Sequence, residues 1–124
     1  MSSGERYTYI NIAYINELTD GDREFIAEIV SACLETLPEN LQKLTSAVNT
    51  NNSDHIRFYA HKLKGSFSFI GSDHLGLSFA TIESYSKDIV NYYLIPGLFW
   101  TAVAEVKKAT DELKDLLKEM TSGS

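Results

Sequence analysis

Cysteine is almost missing from this chain. The one thiol, Cys33, cannot close an intramolecular disulfide and lies among apolar residues, which predicts a reduced core thiol in a cytoplasmic protein. Basic residues are in deficit, 11 against 17 acidic, and the net charge of -6 excludes a general nucleic-acid binder whose affinity rests on phosphate neutralisation. Met1-Ser2-Ser3-Gly4-Glu5-Arg6 has no apolar signal region, and no run of about 18 apolar residues occurs, so no membrane insertion is expected. Gly-rich nucleotide loops, serine triads and Cys-His pairs are also missing, so no nucleotide site or cofactor is expected on this chain. Histidines number three, but His55 and His61 fall on different helix faces, His74 belongs to another helix, and no Glu-x-x-His pair accompanies them. That excludes a bundle metal centre. Asn51-Asn52-Ser53 matches a glycosylation sequon by chance, without a secretory context, and no repeat or low-complexity segment is visible.

What is present is apolar residues, 44% of 124, enough for one domain over 1–124 with an ordered core at about 12–120. Their spacing is helical. Met1 to Tyr9 is expected to be disordered or loosely packed, and Ile12, Ile15 and Leu18 suggest a short entry helix. Thr19-Asp20-Gly21-Asp22 supplies a turn and an N-cap, after which Phe25, Ile26, Ile29, Val30, Cys33, Leu34 and Leu37 recur at helical spacing, continued by Leu41, Leu44 and Val48. Thr36-Leu37-Pro38-Glu39 fits a capping box, so either a new helix starts there or one long helix kinks. A polar loop, Asn49 to Ser53, opens the next helix, which Gly71 closes. Ser72 or Asp73 caps another with an apolar stripe of Leu75, Phe79 and Ile82, beside which Glu83 and Lys87 form an i,i+4 pair. Ile89 to Ile95 has strand-like composition but no partner strand, and reads as a partly helical apolar connector packed over one end of the bundle. The last helix carries Phe99, Val103, Val106, Leu113, Leu117 and Met120. The expected fold is therefore an all-α antiparallel four-helix bundle, built from Asp22–Val48, Ser53–Ile70, Asp73–Lys87 and about Leu98–Met120, with a short N-terminal helix and an irregular connector before the last helix.

Within the helix after Ser53, Ile56, Tyr59, Ala60, Leu63, Phe67 and Ile70 share one arc, and His61 lies opposite it, facing solvent. Arg57, Lys64, Gly65 and Ser68 flank it on the outer arc. An outward imidazole is a nucleophile when its other nitrogen is held, and a cation one turn away at Lys64 meets an anion arriving at the ring. Gly65 costs about 1 kcal/mol relative to Ala inside a helix, which makes sense if something large must approach His61. Phe58 and Phe69 sit at the margins of this arc, either as rim contacts for a partner or as core residues, the latter favoured.

His61-Lys62-Leu63-Lys64-Gly65-Ser66, with Ala60 before it, Gly71 ten residues on, Leu75 and Ile82-Glu83, resembles the His-x-x-Lys-Gly-Ser signature of histidine-containing phosphotransfer (HPt) domains, over about Ile12 to Met120. The resemblance implies a phosphorelay carrier. His61 would take a phosphoryl group from an aspartyl phosphate on a response-regulator receiver domain and pass it on, Lys64 would stabilise the transferred group and Gly65 would give access. It also implies that Glu83 orients the imidazole, against the alternative of a surface glutamate paired with Lys87. Arg57, Phe58, Ser68, Phe69 and Lys87 would be partner contacts. Magnesium is expected on the receiver, a hybrid sensor kinase is a further partner, and the chain is expected to be a monomer. The competing readings are a bundle that docks receivers without accepting phosphate, and the phosphoacceptor portion of a larger sensor kinase.

Overall fold

A computed structural model describes residues 7–122. Five α-helices follow one another: α1 (Ile12–Thr19), α2 (Arg23–Asn49), α3 (Ser53–Phe69), α4 (Asp73–Tyr85) and α5 (Ile95–Thr121), with a single 3₁₀ turn at Tyr92–Leu94. There is no strand among the described residues. Packing runs α2 on α3, α3 on α4, α4 on α5 and α5 back on α2, which closes a four-helix bundle, while α1 lies against α2. One face of each helix is apolar, and together they enclose Ile26, Val30, Leu37, Leu44, Ile56, Leu63, Phe67, Phe79, Phe99 and Leu113, each almost fully buried. Phe67 and Phe79 stack across α3 and α4 with ring centroids 5.7 Å apart.

Local chemistry sets the helix ends. Asp22 caps α2, its carboxylate accepting from the amides of Glu24 and Phe25. For α3 the cap is Asn52, which accepts from the His55 amide at 3.1 Å and leaves Ser53 as the first helical residue. Gly71 ends the α3–α4 turn with φ +75°, and a Cβ there would lie 2.7 Å from the Asn11 Cβ, so both backbone and space demand glycine. Pro38 does not break α2. The helix runs through it, because the apolar face on both sides stays buried against the bundle and only one amide donor is lost.

Four expectations need correction. Residues Met1–Arg6 lie outside the described residues, but Tyr7 to Tyr9 are not loosely packed. The amides of Thr8, Tyr9 and Ile10 all donate to the Glu112 carboxylate, at 2.9, 2.8 and 3.1 Å, and Tyr7 and Ile10 are buried against the core. Nor does the connector pack throughout: Ile89 and Val90 are 97% and 75% exposed, because the turn after α4 swings them outward, while Tyr92 packs partly buried against the core and Ile95 is buried in it. The last helix begins at Ile95 and not at Leu98, since Pro96 fits a first helical turn where no amide donor is needed. Phe25, placed by spacing on the core face of α2, stands at its exposed N-terminal end, 45% accessible.

Candidate functional site

Gly76 is what brings α3 and α4 together. A Cβ at this position would fall 2.9 Å from Ser68 Oγ and 3.7 Å from the Ser68 amide nitrogen, so the helices approach closely here and a side chain on α4 would have to displace the Ser68 hydroxyl. Close approach of these antiparallel helices carries Glu83, near the end of α4, to His61 in the middle of α3. The Glu83 carboxylate bridges two groups of α3: Oε2 is 2.9 Å from His61 Nδ1 and Oε1 is 3.0 Å from Lys64 Nζ. A carboxylate only accepts, so Nδ1 carries a proton, and in the neutral ring the lone pair is then on Nε2. His61 remains 64% exposed, whereas Glu83 is 19% exposed. The carboxyl of Glu83 titrates below its ordinary range. Burial pushes it up, but hydrogen bonds from Lys64 and His61, with their charges, together outweigh that effect.

These contacts bear on the two pairings left open for Glu83. Its carboxylate is taken by His61 and Lys64, and the i,i+4 pairing with Lys87 does not form. Lys62 and Lys64, equal in composition, diverge. Lys62 Nζ lies over the Phe58 ring, 4.8 Å from its centroid, and points away from Glu83. Gly65 is exposed, and a Cβ there would meet nothing within 4 Å, so no contact inside the protein requires the glycine.

Beside His61 the surface is concave, a hollow of about 600 Å³ whose lining includes Arg57, Phe58, Glu83 and Lys87. Phe58 is 52% exposed and Phe69 is 49% exposed, so the core reading favoured for both is overturned: each sits just off the buried arc of α3, where no neighbouring helix covers it. Arg57 pairs with Asp54 at 3.4 Å and still lines the hollow. Ser68 turns its hydroxyl toward Gly76, at the α3–α4 contact. Phe69 lies two turns beyond His61 and takes no part in the hollow. Two features escaped the sequence reading. His55 lines the hollow with His61 although helix geometry puts it on another flank, and Gly76 is buried at the end of the first turn of α4, where a glycine's cost in a helix was the available signal.

Fold and site define a class: a helical bundle with an exposed imidazole, His61, held by a carboxylate of the neighbouring helix that also pairs with a lysine; His74 is as exposed and lies 2.7 Å from Glu105 of α5, but no lysine shares that carboxylate among the described residues. The chain belongs to the Hpt domain family, whose model matches residues 28–122. A phosphorelay intermediate protein, rdeA, of Dictyostelium discoideum is 25% identical over 72 residues, 58% of this chain and 28% of that relative, so the match spans well under a third of the relative's length. No solved structure matches. Among the described residues no helix is long and apolar enough to cross a membrane.

Proposed function

We propose that the chain is a histidine phosphotransfer module of a multistep phosphorelay, with His61 as phosphoacceptor. The observation that carries this reading is the triad at His61: Glu83 holds Nδ1 and also pairs with Lys64, which the His74–Glu105 pair lacks, and the ring stays 64% exposed, so that the Nε2 lone pair of the neutral ring is available as a nucleophile. In the forward step that lone pair attacks the phosphorus of a receiver's aspartyl phosphate, the N–P bond forms, the P–O bond breaks, and the aspartate leaves as carboxylate. Charge spread over the equatorial oxygens needs nearby cations and little else, and Lys64 is within one helical turn. Return of the group to a second receiver reverses these bonds. Magnesium belongs to the receiver in this scheme, and the chain acts as a carrier, without a nucleotide site of its own, as a cytoplasmic monomer.

Gly65 leaves the approach to Nε2 open, while Arg57, Phe58 and Lys87 line the surface a receiver would cover, their cations suited to its acidic active site. The test is incubation with a phosphorylated receiver domain. Acid-labile label is expected on His61, and His61→Gln should abolish it with helical circular dichroism and melting temperature nearly unchanged. Label that persists in the variant, on His55 or His74, would overturn the assignment.

A further inference from the structure

An acceptor for Nδ1–H could have been neutral. Glu83 is instead a carboxylate held ionised by Lys64 and His61, and it is shared between the ring and the ammonium. We propose that the charge of Glu83, beyond its hydrogen-bonding geometry, sets how readily phosphorylated His61 gives its phosphoryl group away, and that Lys64 throttles this charge. The inference rests on His61 being the phosphoacceptor.

Once Nε2 carries the phosphoryl group, the ring has a choice at Nδ1. With the proton retained it is a cationic ring, and breaking the N–P bond returns the bonding pair to a neutral imidazole, a good leaving group. With the proton lost to solvent, the same cleavage must expel an imidazolate, which is far less favourable. A carboxylate 2.9 Å from Nδ1 favours retention; an amide oxygen in the same place would orient the ring without that electrostatic pull. Glu83 is thus a positioning residue that also holds a proton at Nδ1. Lys64 competes for it: while the ammonium sits 3.0 Å from Oε1 it offsets part of the charge felt by the ring. An incoming phosphoryl group offers Lys64 a second anion one helical turn away, and any shift of the ammonium toward it leaves more of the Glu83 charge for the Nδ1 proton. The same step that loads His61 therefore readies it for release.

Other charged groups face this point. Arg57 on α3 lines the hollow but is paired with Asp54, Lys87 in the turn after α4 lines it without an ion pair to Glu83, and His55 stands on the first turn of α3 beside the Tyr59 ring. None of them contacts Nδ1, so the effect should follow Glu83 and Lys64.

The experiment loads the full chain with phosphoramidate, which needs no partner, and follows loss of phosphohistidine by ³¹P NMR from mildly acidic to alkaline pH, for wild type, Glu83→Gln and Lys64→Met. Glutamine still accepts from Nδ1, so label still forms. Its release should fall off at lower pH than wild type and be at least about tenfold slower at the alkaline end, the factor expected when an opposite charge within hydrogen-bonding distance is removed. The two profiles should converge in acid, where both rings are protonated. Lys64→Met should move the fall-off in the opposite direction, to higher pH, whatever it does to the absolute rate. A Glu83→Gln profile that coincides with wild type, or is lowered equally at all pH values, overturns the proposal and leaves Glu83 a purely geometric support. A Lys64→Met shift toward acid overturns the throttle. Failure of His61 to take label would sink the phosphoacceptor reading as well, and is recognisable because no phosphohistidine signal then disappears in His61→Gln loaded alongside.

Discussion

Replacing Gly65 should make the protein more stable, and a long side chain there should also make it less active. A Cβ at this position meets nothing within 4 Å, and α3 is an ordinary helix there, so Gly65→Ala removes backbone freedom from the unfolded chain without a compensating clash. Helix propensity gives about 1 kcal/mol for this change, or a rise in melting temperature of roughly 4 °C for a domain of this size. Gly65→Gln should stabilise by about half as much, because glutamine is a somewhat weaker helix former than alanine. Its side chain, however, rises from the surface one turn from Nε2, in the space a partner's active site must enter. Displacing the reacting atoms by about 1 Å costs roughly a hundredfold in rate. Thermal unfolding beside a time course of transfer from a phosphorylated receiver reads both quantities on the same samples, with alanine expected to transfer nearly normally and glutamine roughly a hundredfold slower. Glutamine transferring at the wild-type rate would refute the access argument. A lower melting temperature for alanine would refute the premise that no internal contact needs the glycine.

Lys64→Ala should slow transfer about tenfold, the effect of a realised interaction of about 1–2 kcal/mol, whereas Lys62→Ala, which removes a cation lying over Phe58, should change it little at matched ionic strength. Equal losses would mean that general surface charge steers the partner. Gly76→Val should destabilise by about 1–3 kcal/mol, because its Cβ alone would sit 2.9 Å from Ser68 Oγ, and should loosen the His61–Glu83 contact; denaturant unfolding and the imidazole NMR shifts measure the two effects, and an unchanged protein would show that α3 and α4 have slack. Glu83 titrates lower in the folded protein than its ordinary value of 4.5, so its stabilising contribution is complete above that pH and is lost as pH falls through the folded value. The stability difference between wild type and Glu83→Gln should therefore be largest near neutrality and shrink in acid, and a difference independent of pH would show that ionisation contributes nothing. Glu112→Ala should unprotect the amides of Thr8, Tyr9 and Ile10 in hydrogen exchange while leaving those of α3 protected; continued protection would assign the anchoring to the buried Tyr7 and Ile10 instead.

The helices, their buried faces and the outward position of His61 were readable from the sequence because they depend on local periodicity: a residue some 180° from an apolar arc faces solvent in almost any bundle. The motif around His61 is likewise contiguous, so Lys64 and Gly65 could be named from one turn of one helix. Contacts between distant segments were a different matter. Only the packed α3–α4 pair shows that Glu83 reaches both His61 and Lys64, since 22 residues of separation along the chain say nothing about which i,i+4 or cross-helix partner a carboxylate takes. Nothing in the residues around Gly76 indicates that α3 lies against it; only the packed pair does. Phe58 and Phe69 are exposed, and Tyr7 and Ile10 buried, for the same reason: hydrophobic side chains are covered only where another element happens to lie, and the course of a terminal segment or the edge of an apolar arc is fixed by the whole bundle and not by its own residues.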